Sequence, residues 1–316
     1  IITITQVSFT DGVFESISAL TTTGATMLSG LDDMPPTFLM YRQFLQWMGG
    51  LGVVIFVVAI LPMLNIGGMR LLKAETPGPI KDDKLSPRIS NTTHYLWMVY
   101  LVITGLCAVS YYFAGMSAFD AIAHSFTTVS TGGFSTHDAS MGYFQSPLIL
   151  WICNLFMVLG AVSFALHYRV YIARSIILYW KDEEARAFLK IITFVALILA
   201  LLLFQTDAEK GLWVTITQSL FHVISFITST GYAATDFGAW PAVTSIVLIF
   251  VGYIGGCAGS TAGGNKVIRN IISFKSIGLE IKRLVHPNGV FSIKFQGRTV
   301  SDDVRHSVMG FMCLAA

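Results

Sequence analysis

Three oxygen-rich tripeptides, each closed by a glycine, could strip a cation of its water: Thr22-Thr23-Gly24, Ser130-Thr131-Gly132 and Ser229-Thr230-Gly231. Threonine and serine bring a hydroxyl as well as a backbone carbonyl. Glycine turns its backbone through conformations closed to other residues. Set around one axis at membrane depth, such oxygens can replace an ion's hydration shell. The three glycines stand 108 and 99 residues apart, so each copy belongs to a whole structural unit. In the second copy Gly133 fits the closing position as well as Gly132, and both registers are open. One isolated Thr-x-Thr-Gly reads better as hydroxyls bonded back to the preceding helical turn, or packed against a neighbour. Three copies in one context favour coordination.

That context dictates the elements. Each motif closes a short apolar stretch, at 9–22, 118–130 and 212–229, with apolar residues at helical spacing such as Phe119, Ile122, Ala123 and Phe126. Most of these stretches fall short of the ~17–25 residues that cross a bilayer. A polar turn follows, containing Pro35-Pro36, Ser146-Pro147 or Trp240-Pro241, and then a long apolar run. Proline suits the first turn of the helix this predicts. Longer apolar runs at 95–115 and 187–205 precede the second and third short stretches. The unit is thus a spanning helix, a re-entrant half-length helix, an oxygen-rich turn and a second spanning helix. Non-helical backbone at membrane depth survives only inside protein or beside a watery cavity. A half helix ending there aims the negative end of its dipole at the centre, which favours a cation.

The predicted fold is therefore an all-α polytopic membrane protein, with such units arranged around one ion path as in potassium channels. Unit 1 occupies 1–64, without its first spanning helix. A connection at 65–94 leads to unit 2 at 95–169, and one at 170–186 to unit 3 at 187–275. A third connection fills 276–302, and 303–316 begins a fourth, truncated unit. Counting on from Gly231 puts a fourth motif beyond the last residue, so the chain reads as part of a longer protein.

The last helix of unit 3 stands apart. Gly255, Gly256, Gly259, Ser260, Thr261, Gly263, Gly264 and Asn265 crowd one stretch, while the corresponding GGLG at 49–52 and LGA at 159–161 return at once to bulky apolar residues. Each glycine costs a helix about 1 kcal/mol relative to alanine. A flexible loop within the membrane, able to block or open the path, is the functional reading. Gly255, Gly259 and Gly263 could instead form a close-packing helix face. A phosphate loop is excluded, because Asn265 and Lys266 follow Gly264 where Lys and Ser/Thr are needed.

Composition names the solvent and charge the orientation. The chain is 54% hydrophobic and 12% charged, and the runs 44–64, 96–115, 147–168, 187–204 and 241–256 are nearly charge-free. A soluble domain carries about 25% charged residues, so the lipid bilayer is the expected partner and nucleic acid is not. Residues 65–94, 167–190 and 265–305 hold 18 of the 20 Lys and Arg residues and carry a net +9, while the segments around the motifs carry −7. Lys and Arg mark the cytoplasmic side, so the motifs face outward, to the periplasm, under an acidic vestibule that concentrates cations. The basic segment 266–298 could dock a cytoplasmic ring or simply meet lipid headgroups. Cys107, Cys153, Cys257 and Cys313 sit in apolar stretches with no paired spacing and read as reduced, buried thiols.

Two other function classes make different demands on the sequence. A symporter coupling potassium to sodium or protons by a buried carboxylate needs an acid inside a span, and the clear spans hold none. An intramembrane enzyme or scaffold is the remoter alternative. His124 and His222 lie in the half helices with no carboxylate at a suitable spacing, so they read as packing residues.

With the motifs in view, the chain resembles the membrane subunits of bacterial Trk potassium uptake systems (TrkH and TrkG, the former nearer), within the wider TrkH/KtrB superfamily. The resemblance rests on TTTGAT at 21–26, WMGGLGV at 47–53, KDDKLSP at 81–87, STGGFST at 130–136, the stretch 255–269 and His286-Pro287, and covers essentially the whole chain. It implies four helix–pore–helix units with one filter glycine each, and potassium as the bound and transported ion at the three tripeptides. It also implies a gating loop at 255–265, a homodimer, a cytoplasmic nucleotide-binding ring (TrkA-like), no organic cofactor on this chain, no enzymatic activity, and the bacterial inner membrane as its place. The fourth pore motif and the last-helix arginine expected to face the gating loop have no counterpart here.

Overall fold

The computed structural model describes residues 8–55, 89–206, 211–287, 289 and 291–315. KDDKLSP at 81–87, most of the connection expected at 65–94, and Asp207, Glu209 and Lys210 lie outside the described residues.

Among those residues, the three short apolar stretches form helices close to their expected bounds: α1 (Phe9–Leu20), α4 (Ala118–Val129) and α9 (Leu212–Ile227). The helices α2 (Pro36–Ile55), α5 (Pro147–Ala161) and α10 (Ala242–Ile254) follow them, and α3 (Ile89–Phe113) and α8 (Glu183–Thr206) precede the second and third. Their starts are written locally. Ser8 and Ser117 each accept a bond from the amide three residues on, at Asp11 and Asp120, and each puts an acid in the positive first turn. α9 begins instead at Gly211, at φ +78° and without a side-chain cap. A short 3-10 turn stands before each proline-led helix, at Leu31–Asp33, Ser140–Phe144 and Phe237–Ala239.

Residues 94–113 and 183–206 are long and apolar enough to cross a membrane. The run at 147–168 is not one continuous helix. α5 ends at Ala161 and the chain turns by 95° into α6 (Phe164–Ala173), although the apolar run continues across the bend. Gly160 packs against the Val129 carbonyl, and the bond acceptors freed at the bend are taken by another segment, described below. α7 (Ile177–Lys181) leads to α8, α11 (Val267–Val285) follows the glycine-rich loop, and a hairpin of β1 (Lys294–Phe295) and β2 (Arg298–Thr299) precedes α12 (Asp302–Ala315). This small hairpin was not foreseen in an all-helical reading.

α4 and α9 lie inside the bundle, α4 against α2, α3 and α5, α9 against α5, α8 and α10. One apolar core runs through all of these from Trp47 to Val267. Among the cysteines, Cys107, Cys153 and Cys257 are buried free thiols as expected, whereas Cys313 is exposed.

Candidate ion-coordinating site

The three short helices end identically. In the first, the Thr22 amide donates to Ala19 O and the Thr23 amide to Ser18 O, at 3.1 and 2.9 Å. The Thr131 and Gly132 amides repeat this with Thr128 O and Thr127 O, and the Ser229 and Thr230 amides with Phe226 O and Ser225 O. This is the Schellman termination, whose left-handed residue is usually glycine. Here it is Thr22, Thr131 and Ser229, at φ +55°, +52° and +57°. Two residues later comes a glycine at positive φ: Gly24 at +77°, Gly133 at +81° and Gly231 at +82°. The backbone thus puts Gly133, not Gly132, in register with Gly24 and Gly231, and Thr131-Gly132-Gly133 is the equivalent triplet.

The turns meet. A Cβ on Gly24 would stand 2.1 Å from Gly132 O and 3.5 Å from Thr230 O, and one on Gly133 only 1.7 Å from Thr230 O. All nine motif residues are therefore gathered in one place, with Ser130 one step before its turn. Among the described residues, no donor reaches the carbonyls of Thr22, Thr131 or Ser229. Three helix C-termini, with their partial negative charge, converge on uncommitted oxygens. Such a place suits a desolvated cation.

Behind each turn, the residue five before the helix end ties down the outgoing limb. Glu15 accepts from the Thr26 hydroxyl at 2.9 Å and the Met27 amide at 3.3 Å. His124 occupies the same place in α4 and bonds the Ser135 hydroxyl through Nε2 at 3.0 Å. His222 in α9 accepts from the Ala234 amide through Nε2 at 3.4 Å. The Nδ1 of each histidine faces the carbonyl four residues back, Asp120 O and Gln218 O, at 2.9 and 2.8 Å. A carbonyl only accepts, so this network assigns the proton to Nδ1 and leaves Nε2 as acceptor. One carboxylate and two neutral imidazoles thus do the same task. Only the carboxylate brings a charge, and only it meets a buried arginine, Arg42 on α2. Glu15 and Arg42, which both count in the net charge of the segments around the motifs, are fully buried and neutralise each other. Ser18 and Ser225 add bonds to Ala25 O and Tyr232 O at 2.6 and 2.7 Å.

Each later limb is also braced by the preceding unit's helices. Gln46 of α2 donates to Gly132 O at 2.8 Å and accepts from the Phe134 amide at 3.1 Å, while the Arg42 guanidinium lies 4.2 Å from the Phe134 ring centre. Tyr232 is buried against α4, its hydroxyl bonded to Thr127 and, at 3.2 Å, to Thr128. Sequence reasoning missed Gln46, Tyr232 and the Glu15–Arg42 pair. Aligning the three helix ends would have exposed the Glu15, His124 and His222 column. Nothing local marks Gln46 or Tyr232, whose partners lie 86 and 105 residues away.

The glycine-rich stretch is a loop, not a helix, and lies against these turns. Gly255 and Gly264, both at positive φ, bring their backbones together at its neck, where a Cβ on Gly264 would stand 2.4 Å from the Gly255 Cα. Thr261 shares its hydroxyl proton between Val129 O and Gly160 O, each at 3.0 Å, and a Cβ on Gly263 would touch Ser229 Oγ at 3.0 Å. The bend after α5 supplies the rest: Cys257 N donates to Ala161 O at 2.9 Å and Phe164 N to Gly259 O at 3.0 Å. Gly256 packs on Ala262, and Ser260 bonds Cys257 O at 2.6 Å. Asn265 turns away, to Asn270 and the Met312 sulfur of α12. Lys266 folds back to donate to Ala262 O.

Half-length helices ending in converging oxygen-rich turns are thus set among helices long and apolar enough to cross a membrane. Comparison with known proteins gives the family. Residues 2–315 match the TrkH family, described as cation transport protein, and the chain belongs to that family. It is 47% identical over 306 residues to the Trk system potassium uptake protein TrkH of Escherichia coli K12, and 40% identical over 309 residues to TrkG of the same strain. These alignments cover 97% and 98% of this chain but 63% and 64% of those proteins. The crystal structure of the potassium transporter TrkH from Vibrio parahaemolyticus superposes with a TM-score of 0.86 at 45% identity, over 97% of this chain and 63% of that one. The chain thus spans about 63% of the length of the curated relative from Escherichia coli. The family is one of transport proteins, not enzymes.

Proposed function

We propose that this chain forms part of a path for potassium uptake across the bacterial inner membrane, with the three turns as its selectivity filter. The observation that carries this reading is the meeting of three Schellman-terminated half helices, whose Thr22, Thr131 and Ser229 carbonyls take no donor among the described residues. The filter residues are Thr22, Thr23 and Gly24, Thr131, Gly132 and Gly133 with Ser130 at the base, and Ser229, Thr230 and Gly231. The names of the most similar proteins, potassium uptake proteins of Trk systems, support potassium as the cargo.

The turns face the periplasm, and the loop 255–265 gates the path from the other side. That loop responds to a cytoplasmic nucleotide-binding ring, the transporter works as a homodimer, and the units divide as the sequence suggests. Conduction is passive: Glu15, a buried carboxylate behind the first turn, is held by Arg42, Thr26 and Met27 and has no free role in carrying protons.

Flux into vesicles holding the full-length protein tests this. Potassium entry that rises with the cytoplasmic partner is expected, and no potassium permeability with or without it overturns the reading. Gly231→Ser reports on the filter itself. Nothing lies within 4 Å of a Cβ there, yet φ is +82°, so serine bends the backbone without blocking the path. A weakened preference for potassium over sodium is expected, and an unchanged one removes Gly231 from the filter.

A further inference from the structure

Glu184, in the first turn of α8, is 7% exposed and has no place in the filter. Its Oε1 accepts from the Ala258 amide inside the glycine-rich loop at 2.8 Å, and from the Ile268 amide in the first turn of α11 at 3.2 Å. One oxygen therefore joins the loop to the helix that follows it. A buried amide must find a partner, and a buried carboxylate is costly unless bonded. Each answers the other's need, and an uncharged acceptor oxygen at this place would serve the two amides as well.

The two residues before Glu184 reach elsewhere. Asp182 caps α8 through the Glu184 and Ala185 amides at 3.1 and 3.0 Å, and accepts from the Gln296 side chain at 2.8 Å. Glu183 accepts from the Gln296 amide at 2.9 Å and pairs with Lys275 of α11, which also donates to Lys294 O at 2.8 Å. Gln296 and Gly297, at φ +48° and +79°, form the two-residue tip of the β1–β2 hairpin. Both signs match the tight turns that favour such hairpins. Three consecutive acids thus grip the hairpin tip, α11 and the loop.

We propose that Glu184 is the positioning residue that latches the loop 255–265 against the filter, and that Asp182 and Glu183 tie this latch to the hairpin. The proposal rests on reading that loop as the gate. A displacement of the hairpin is carried by the rigid first turn of α8 to the Ala258 amide, and so to Thr261 and Gly263 under the turns. A mere helix cap at Glu184 would lower stability when removed and leave the closed state tight.

The test is potassium leak into vesicles holding the full-length protein without its cytoplasmic partner, with thermal unfolding in detergent measured alongside. Glu184→Leu removes the acceptor and is expected to raise the leak about fivefold, the change in an open–closed ratio from one net hydrogen bond of ~1 kcal/mol. Glu184→Gln keeps an acceptor oxygen without the charge and should leak like the wild type. Glu184→Asp, which draws the carboxylate back, should fall between and serves if the leucine variant does not fold. A variant lacking 259–262 tests the gate reading separately. If it does not leak, the loop is not the gate. If it leaks while the folded leucine and aspartate variants stay tight, the latch is wrong. A glutamine variant as leaky as the leucine one also overturns it, because the charge and not the bond would then hold the loop.

Discussion

Glu15, His124 and His222 show one task performed by two chemistries. Each supplies an acceptor behind a turn, and the charged version is tolerated because Arg42 is buried beside it. Glu15→Gln leaves Arg42 buried without its counter-ion, an arrangement that costs about 3–5 kcal/mol. A large fall in the unfolding temperature in detergent is expected, with most of it recovered on adding Arg42→Met, and equal melting of wild type and single variant would deny the pair its role. Gly133 carries the second residue-scale expectation. Gly133→Ala drives a Cβ into Thr230 O and strains the backbone, so potassium flux should be lost or its preference over sodium erased. Gly132→Ala meets only the end of the Gln46 side chain and should do less. At this scale the three turns were legible in the sequence, since Thr, Ser and Gly recur in three copies. It left the second register open because the two adjacent glycines look alike until φ is known. The acceptors behind the turns were seen as lone histidines because their partners are an amide and a hydroxyl rather than carboxylates.

At the scale of elements, the half helices and their proline-led successors were legible from periodicity, and α4 agrees with its expected bounds to within a residue. The bend between α5 and α6 was not, for Val162 and Ser163 are no stronger breakers than their neighbours. The bend exists because the unit 3 loop takes the Ala161 carbonyl and offers Gly259 O to Phe164, a tertiary override of local preference. The outer connections are held by a cluster of their own. His137 bonds Asp32, stacks on Tyr143 with ring centres 3.4 Å apart and has Asp120 within 3.4 Å, while Asp138 accepts from the Leu31 amide at 3.1 Å. The hydrogen bond from His137 holds the Asp32 carboxyl below the usual carboxylate range. A lowered folded value means that this contribution is present above the unfolded carboxylate pKa and lost as pH falls through the folded one. Asp32→Asn should therefore lower the melting temperature at neutral pH and lose that effect below about pH 4, as melting curves across pH would show. A deficit that persists undiminished in acid would place the effect elsewhere.

For the whole molecule, the composition and hydropathy pattern of the chain sufficed to name the bilayer and the helical class, because the solvent imposes both. How the units interlock lay beyond them, since contacts such as Gln46–Gly132 and Tyr232–Thr127 need three dimensions. On the proposed reading, convergence of all three turns makes an ion bound there a shared ligand of the bundle. An ion that binds only the folded state stabilises it in proportion to the logarithm of its concentration. Potassium should raise the melting temperature of the full-length protein above that in choline, and Gly133→Ala, which also lowers the choline value because its Cβ meets the Thr230 carbonyl, should abolish the increment. The bracing has a further consequence for biosynthesis. Phe134 leans on α2, and Tyr232 leans on α4, so each limb finds its support in chain made earlier. Synthesis proceeds from the N-terminus, and segments fold as they emerge. The second turn can therefore set against a scaffold already in the membrane, and the third against the second, so that the order of translation is also the order of assembly.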